Sequence, residues 1–528
     1  VGAGEVTESV AFPASAIPGS AQMHLNVFPA YLSQVVQGMD SLLQVPGGCF
    51  EQTTSTTWPN VLVTRYMTQT QQITPEIQMK ADSMISAGYQ RLLTFEHPGG
   101  GFSWFGTQDP NPFLSVTAFG VMEFADMAEV HTVDEAMIKR TIDWLVAQQK
   151  PDGSWEGDQT EFFSFQTSTA RNTAFVMWAL GVAGYTGPAG GSALGYLKAN
   201  AKVSEADSYT LGLLANALQF AAPNDPLTTS VFERIEETKK ADGDKYYWDA
   251  SGTQTDFYGS GNDANVASTA MIVEALIRRG GYPQTVKGGM EYLLASRDPN
   301  GNFGSTQATI WTLRAMLLAA SKGTEGAVGT LQVFLDGNPY STLNLTAAQS
   351  DVMNTVDFGT FVGAGAHEVK LAFVGTGKAS YHLVSKYNLP WDQAPAEPTG
   401  PVSVTVGYDK TELAMNETVT ATVNVTNNTD AKLNMVLVTL GIPPGFVVMG
   451  EDFAPYLANN TMSNWETTGK QLTLYLPLLA PSSQQTFQYR LLATMPVTAS
   501  DGGGQAYPYY QPDAKSSVES TTFHVAAQ

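Results

Sequence analysis

The sequence predicts a multidomain protein of α and β type, in which an α/α toroid is inserted in a β-domain and followed by a β-sandwich. Three observations lead to this architecture: a glycine-aromatic turn that recurs between helical patterns, strand patterns on both sides of the helical region, and a Pro-rich linker before a last run of strands. We expect the first part of the β-domain at 1–24, the toroid at 25–322, the second part of the β-domain at 323–395 and the sandwich at 402–528.

A short turn containing glycine and an aromatic residue recurs near Gly101, Gly153, Gly243 and Gly301. A period of about 50 residues, with one degenerate copy in the longest gap, is typical of repeat architectures. The helical stretches between the turns are apolar on more than one face, so we expect them to be buried. They span 81–94, 115–129, 134–149, 167–182, 206–220, 264–279 and 306–321. Two helices per repeat close naturally into a toroid.

Strand patterns flank this helical region. Residues 5–12 read as a strand, and the segments 330–335 and 367–374 follow after the toroid. Because β-structure is predicted on both sides, we expect the toroid to be inserted in a β-domain. The Pro-rich segment 390–401 reads as a linker. Period-two alternation then predicts the sandwich, at 402–406, 419–425, 472–476 and 485–492.

Composition and charge argue against several classes of partner. Charged residues make up only 14% of the chain, and its formal net charge is −22. An acidic surface repels phosphates, which argues against nucleic acid or anionic lipid as a partner. The best candidate for a membrane span, 308–320, is too short and contains Arg314. The sequence opens at Val1 without a leader pattern, which we interpret as a processed segment of a secreted, cell-surface or periplasmic protein.

Cys49 is the single cysteine of the chain. One cysteine excludes an intrachain disulfide framework and any zinc site that needs several Cys ligands. The six histidines include no H-x-x-x-H pair, so we predict no metal site and no cofactor. A lone cysteine is ordinarily a small buried hydrophobe, and that alternative is weighed against the motif around Cys49.

Cys49 lies in the segment 46–52, which reads Pro-Gly-Gly-Cys-Phe-Glu-Gln. Side chains at i and i+3 on a helical turn are neighbours, so the Cys49 sulfur can meet the side-chain carbonyl of Gln52. Glycines at 47 and 48 permit the close approach that such a ring needs. Attack of the sulfur on the Gln52 amide would expel ammonia and leave an activated acyl group. The spacing therefore predicts an internal thioester.

This segment closely resembles the thioester motif of the alpha-2-macroglobulin and complement family, whose core reads Gly-Cys-Gly-Glu-Gln, and its continuation is similar to that of bacterial members. Cys49, Glu51 and Gln52 match the motif, whereas Phe50 replaces the common Gly. The segment 303–309 resembles a late segment of the family's thioester domain. The resemblance implies that the toroid is this thioester domain, that the strands around it form a CUB-like β-domain, and that the sandwich is the receptor-binding macroglobulin-type domain.

The resemblance also implies how the thioester is protected and opened. Aromatic residues of the family's last domain cover the thioester, and Tyr507, Tyr509 and Tyr510 match them, with ordinary sandwich core as the alternative. Some relatives carry a histidine after the Pro-Asp-Gly turn, which attacks the thioester and so opens it to hydroxyl targets. Residues 154–165 contain no histidine, and the family position falls at about Phe163. We therefore expect direct attack by amines.

Together these features predict a covalent trap that reacts once, rather than an enzyme. Its partners would be proteases or cell-surface targets that offer amines, and upstream macroglobulin domains; the bait region that triggers protease capture in the family is not in this sequence. Two alternatives remain open. One is a binding or structural module with a vestigial thioester. The other is an α/α-barrel enzyme: 149–155 fits a triterpene-cyclase repeat motif, though the Asp-rich proton donor is missing, and a glycosidase would use carboxylates such as Glu156, Asp158 and Glu161.

Overall fold

The computed structural model describes residues 1–30, 48–69, 75–158, 168–257, 259–297, 303–321, 326–350, 352–359, 365–390, 400–509 and 514–527. The described residues form two compact units, the first comprising 1–158 and 168–390 and the second 400–527. Among the described residues, the helices fall short of the length and apolar character that crossing a bilayer requires.

The first unit holds helices between two groups of strands. Its strands are β1 (Gly4–Phe12), β2 (Gln22–Phe28), β3 (Lys240–Asp242), β4 (Lys245–Tyr247), β5 (Val328–Leu335), β6 (Asn338–Leu345), β7 (Asn354–Asp357), β8 (Gly365–Thr376) and β9 (Ser380–Lys386). Its helices are α1 (Phe50–Gln69), α2 (Pro75–Leu93), α3 (Leu114–Met127), α4 (Glu135–Ala147), α5 (Thr169–Val182), α6 (Pro188–Asn200), α7 (Ser208–Ala221), α8 (Pro226–Thr238), α9 (Asn262–Arg279), α10 (Pro283–Ala295) and α11 (Thr306–Ser321).

The odd-numbered helices form a closed inner ring. Each packs on the next odd-numbered helix, from α1 through α3, α5, α7 and α9 to α11, and α11 packs back on α1. Each even-numbered helix packs on the outside of the helix before it in the chain. The result is the predicted α/α toroid.

The sequences of the two layers explain their positions. α4 buries Met137, Thr141 and Leu145, a single stripe four residues apart. α7 is instead buried continuously from Ser208 to Leu218, because its Leu- and Ala-rich sequence is apolar around the whole circumference. The amphipathic α4 therefore leaves one face to water, whereas α7 is enclosed on all sides in the inner layer.

The recurring turns lead from an outer helix to the next inner helix and repeat one hydrogen bond. The backbone N–H of the aromatic residue in the turn donates to a threonine Oγ1 on the following inner helix. The four pairs are Phe102 with Thr117, Trp155 with Thr173, Trp248 with Thr269 and Phe303 with Thr309, at 2.9, 3.0, 3.2 and 3.0 Å. The turn found in the sequence is thus a repeated joint of the toroid.

Strands from the two ends of the first unit pair with each other. β1 lies antiparallel to β8 along its whole length, from Gly4 opposite Phe373 to Phe12 opposite Gly365. One sheet has the order β1-β8-β5-β6, and another places β2 between β7 and β9. They share a core that includes Leu25, Val27, Leu331 and Leu371. Because the toroid lies between β2 and β5 in the chain, it is inserted in this β-domain, as predicted.

The second unit is a β-sandwich. Its strands are β10 (Val402–Tyr408), β11 (Glu412–Ala414), β12 (Thr418–Asn427), β13 (Leu433–Gly441), β14 (Phe446–Val448), β15 (Asn464–Thr467), β16 (Gln471–Leu479), β17 (Gln484–Ala493), β18 (Val497–Ser500), β19 (Gly504–Pro508), β20 (Ser516–Val518) and β21 (Thr522–Ala526), with the short helix α12 (Ala454–Ala458). The main sheets have the orders β10-β12-β17-β14 and β15-β16-β13-β19-β20. Every second residue of β12 is buried, and this alternation fills the core between the sheets.

Candidate functional site

Cys49 and Gln52 meet at the start of α1. Cys49 stands immediately before the helix, and its carbonyl accepts the N–H of Thr53 at 3.0 Å. The backbone N–H of Cys49 donates to Oε1 of Gln52 at 2.9 Å. The Gln52 side chain therefore folds back over the first turn onto the cysteine, whose side chain is buried with 2% of the residue exposed. The structure brings together the two residues that the motif predicts to react.

Gly48 is the residue that makes room for this fold-back. Its φ is +81°, in the left-handed region that favours glycine. A Cβ at this position would lie 1.7 Å from Oε1 of Gln52 and 2.5 Å from its Cδ. Only a residue without a side chain therefore allows the Gln52 carboxamide to reach Cys49. Pro46 and Gly47 lie outside the described residues.

Two contacts hold the backbone at this turn. The N–H of Phe50 donates to the carbonyl of Trp104 at 2.9 Å. The guanidinium of Arg91, in the last turn of α2, donates to the carbonyl of Gly48 through both Nε, at 3.2 Å, and Nη2. The turn is thus fixed from the next outer helix and from the first recurring turn of the toroid.

The structure gives a physical reason for Phe50 in place of the common glycine. The ring of Phe50 is fully buried and packs on Phe95 and Phe102, with ring centroids 5.9 and 5.6 Å away. Gly120 on α3 leaves the space for it, because a Cβ there would lie 2.7 Å from Cζ of Phe50. The aromatic side chain anchors the start of α1 in the core.

Buried polar groups fix α1 against α3. Thr54 donates its hydroxyl to Oε2 of Glu123 at 2.8 Å, and the indole of Trp58 donates to Oδ2 of Asp126 at 2.9 Å. Burial raises the pKa of Glu123 to about 8, so its carboxyl is protonated at neutral pH. Glu51, the remaining motif residue, is buried in the first turn of α1, where the helix dipole favours a carboxylate.

The sandwich carries the tyrosines expected to shield the thioester. Tyr507 pairs with Leu437 across β19 and β13, and the N–H of Tyr509 donates to the carbonyl of Met435 at 2.9 Å. Ala506 belongs to the sandwich core, so the neighbouring side chain of Tyr507 projects from the opposite face of the sheet. Burial raises the pKa of the Tyr507 hydroxyl. Tyr510 lies outside the described residues, and the shielding role stays a prediction.

Phe163, the expected position of the family histidine, also lies outside the described residues, as does Glu161. Before them, the carboxylate of Asp158 accepts the backbone N–H groups of Leu114 and Ser115, at 2.7 and 3.1 Å, and so caps α3. Glu156 forms an exposed ion pair with Lys150 at 3.1 Å. Glu156 and Asp158, considered above as glycosidase carboxylates, therefore have structural partners.

Sequence reasoning did not identify Arg91 or Gly120. Arg91 is 43 residues from Gly48 and bonds to a backbone carbonyl, so no side-chain pattern announces the contact. Gly120 lies inside an apolar helix, where a glycine is unfavourable. Its presence there could have indicated that another side chain packs closely against the helix at this point.

Comparison with known proteins identifies both parts of the chain. Residues 21–318 match the family model of the A-macroglobulin TED domain, and residues 431–521 match the A-macroglobulin receptor binding domain. Ovostatin of Gallus gallus is 24% identical over 322 residues, which cover 58% of this chain and 22% of Ovostatin. The chain therefore spans about a fifth of the length of this relative.

Two solved bacterial structures superpose on 99% of the chain. Salmonella alpha-2-macroglobulin reacted with methylamine does so with a TM-score of 0.66 and 18% identity, over 34% of that chain. Native alpha-2-macroglobulin from Escherichia coli, spanning domain MG7 to the C-terminus, does so with a TM-score of 0.68 and 16% identity, over 82% of that chain. These likenesses show a shared fold. Since the TED-domain model covers more than half of the sequence, the chain belongs to the alpha-macroglobulin family.

Proposed function

We propose that Cys49 and Gln52 form an internal thioester and that the chain is the covalent arm of a macroglobulin-type protease inhibitor or defence protein. The observation that carries this proposal is the contact between the Cys49 N–H and Oε1 of Gln52 at 2.9 Å. Because a backbone N–H can only donate, this contact identifies the carboxamide atom that faces the Cys49 backbone as the oxygen. The lack of a side chain at Gly48 supports the same proposal, since a Cβ there would collide with the Gln52 carboxamide in the position that reaches Cys49.

The chemistry runs in two steps. In the first, the Cys49 sulfur attacks Cδ of Gln52, the C–N bond breaks, and ammonia leaves with the thiol proton. In the second, a target amine attacks the same carbon, the C–S bond breaks, and the sulfur leaves as a thiolate that takes up the proton lost by the amine. The target then carries an amide bond to Gln52, and the chain is spent. It acts once and is not an enzyme.

Amines are the proposed targets because the sequence from 154 to 165 has no histidine to form an acyl-imidazole. Lysine side chains of proteases or of cell-surface molecules would supply them. Upstream macroglobulin domains would provide the trigger, and Tyr507, Tyr509 and Tyr510 would cover the thioester before it. We place this activity outside the cytoplasm, on a secreted, cell-surface or periplasmic protein.

Intact mass spectrometry tests the proposal. The wild-type chain should be lighter than its calculated mass by one ammonia, and methylamine should add to it with release of one thiol. Cys49→Ser and Gln52→Leu are matched controls that remove the nucleophile or the acyl group, and both should keep full mass and take up no methylamine. Glycerol should label the wild type far more slowly than methylamine. A wild-type chain of full mass that ignores methylamine would refute the trap and favour the vestigial module.

A further inference from the structure

The Gly48–Cys49 peptide is hydrogen-bonded on both edges. Its carbonyl accepts two N–H groups of the Arg91 guanidinium, and its N–H donates to Oε1 of Gln52. The peptide is trans, so its C=O and N–H point in opposite directions. A cation therefore lies at one edge of this peptide group and the Gln52 carbonyl oxygen at the opposite edge.

The Gln52 oxygen is where charge develops. When an amine attacks Cδ of the thioester, the carbonyl π electrons move onto Oε1, and the tetrahedral intermediate carries an oxyanion there. A donor already aimed at that atom stabilises the transition state more than the ground state. Of the first two N–H groups of this turn, that of Phe50 is occupied by the carbonyl of Trp104. The N–H of Cys49 is the one directed at Oε1.

We propose that Arg91 is a positioning residue for this reaction, which holds and polarises the Gly48–Cys49 peptide so that the Cys49 N–H serves as the oxyanion donor to Gln52. This inference rests on the thioester function proposed above. Hydrogen bonds in series polarise one another, so a cation on the carbonyl makes the N–H of the same peptide a stronger donor. A charge-assisted bond from a guanidinium also fixes the peptide plane better than a neutral bond does.

Arg91 is itself held in place. Its guanidinium carbon lies 5.5 Å from the centroid of the Phe95 ring, within the range of a cation–π contact. Phe95 in turn packs on Phe50, the residue that follows Cys49. The arginine, the peptide and the reacting pair thus form one connected unit, pre-arranged before any amine arrives.

The test separates the yield of thioester from its reactivity. Arg91→Ala and Arg91→Lys are prepared in the full 528-residue chain, with Arg490→Ala as the control, because Arg490 also donates through Nε and Nη2, to the carboxylate of Asp452, and belongs to the sandwich. Intact mass gives the fraction of molecules that carry a thioester. The rate of methylamine uptake is then measured for that fraction alone, with thermal melting to check the fold.

We expect methylamine uptake per thioester to fall about tenfold in Arg91→Ala, less in Arg91→Lys, and not at all in Arg490→Ala. Millimolar guanidinium should restore part of the rate in Arg91→Ala, which a purely structural role would not allow. If Arg91→Ala forms no thioester, the same rescue is sought in its yield. An unchanged or faster rate in a thioester-bearing Arg91→Ala overturns the inference, as does a lost yield that neither lysine nor guanidinium restores. A wild-type chain without any thioester overturns the proposed function itself, so the two failures are distinguishable.

Discussion

Gly48→Ala should prevent formation of the proposed thioester while leaving the fold in place. The added Cβ would lie 1.7 Å from Oε1 of Gln52, whereas ordinary contact begins at 3.4 Å. The carboxamide must therefore retreat by roughly 1.7 Å, which takes Oε1 out of hydrogen-bonding range of the Cys49 N–H. A non-glycine residue at this φ also costs about 1–2 kcal/mol, an amount that a domain with 5–15 kcal/mol of stability tolerates.

The matched control is Gly184→Ala. Gly184 has a φ of +73°, close to that of Gly48, but no atom lies within 4 Å of the Cβ that it would gain. Both variants carry the backbone strain, and Gly48→Ala alone carries the collision. Their melting temperatures should fall by similar amounts.

Intact mass and methylamine uptake then distinguish them. Gly184→Ala should be lighter than its calculated mass by one ammonia and should take up methylamine as the wild type does. Gly48→Ala should have full mass, take up no methylamine, and yield one thiol to a thiol reagent after denaturation. A Gly48→Ala protein that still lacks one ammonia and reacts with methylamine would refute the steric reasoning.

Four further substitutions test the surroundings of the site. Phe50→Gly should cost about 3–5 kcal/mol in urea denaturation, because it empties the space between Phe95 and its neighbours, and Gly120→Ala should be less harmful in that background than alone. Since the pKa of Glu123 is raised to about 8 from 4.5, the folded state keeps a proton that the unfolded chain loses, and stability should fall as pH rises from 4.5 to 8. Glu123→Gln should remove that slope in denaturation at pH 5 and pH 8. Asp158→Ala should cost about 1 kcal/mol through loss of the α3 cap; an unchanged midpoint would contradict that assignment.

The toroid could be predicted from the sequence because the patterns that indicate it are local. Helical periodicity and the recurring turns act within one repeat, and the structure shows why the turns recur, since each aromatic N–H meets a threonine on the next inner helix. The insertion could be predicted because strands occur on both sides of the helices. The partner of each strand could not, since β1 pairs with β8 more than 350 residues later.

The candidate site, like the fold, has one part that could be predicted from the sequence and one part that could not. Cys49 and Gln52 are three residues apart, so the spacing of a helical turn was enough to predict their contact. The resemblance makes Phe50 an unexplained departure, and its explanation lies in Gly120, on a different helix. Arg91 contacts the site through the backbone carbonyl of Gly48. Every residue has such a carbonyl, so the sequence does not indicate this contact. Tertiary packing therefore supplies the part of the site that spacing does not.

Closure of the inner ring of helices determines the order in which parts of the first unit can fold during synthesis. The indole of Trp58 on α1 packs on Phe119 of α3 and also on Trp311 of α11, with ring centroids 4.9 and 5.8 Å away. One side of α1 thus stays uncovered until the chain through Ser321 has left the ribosome, and β1 waits longer still for its partner strand. A nascent Cys49 is accordingly an ordinary thiol beside an ordinary glutamine. The acylation that we propose for Gln52 would therefore take place only in the finished domain, so that a chain that fails to fold would carry no reactive acyl group.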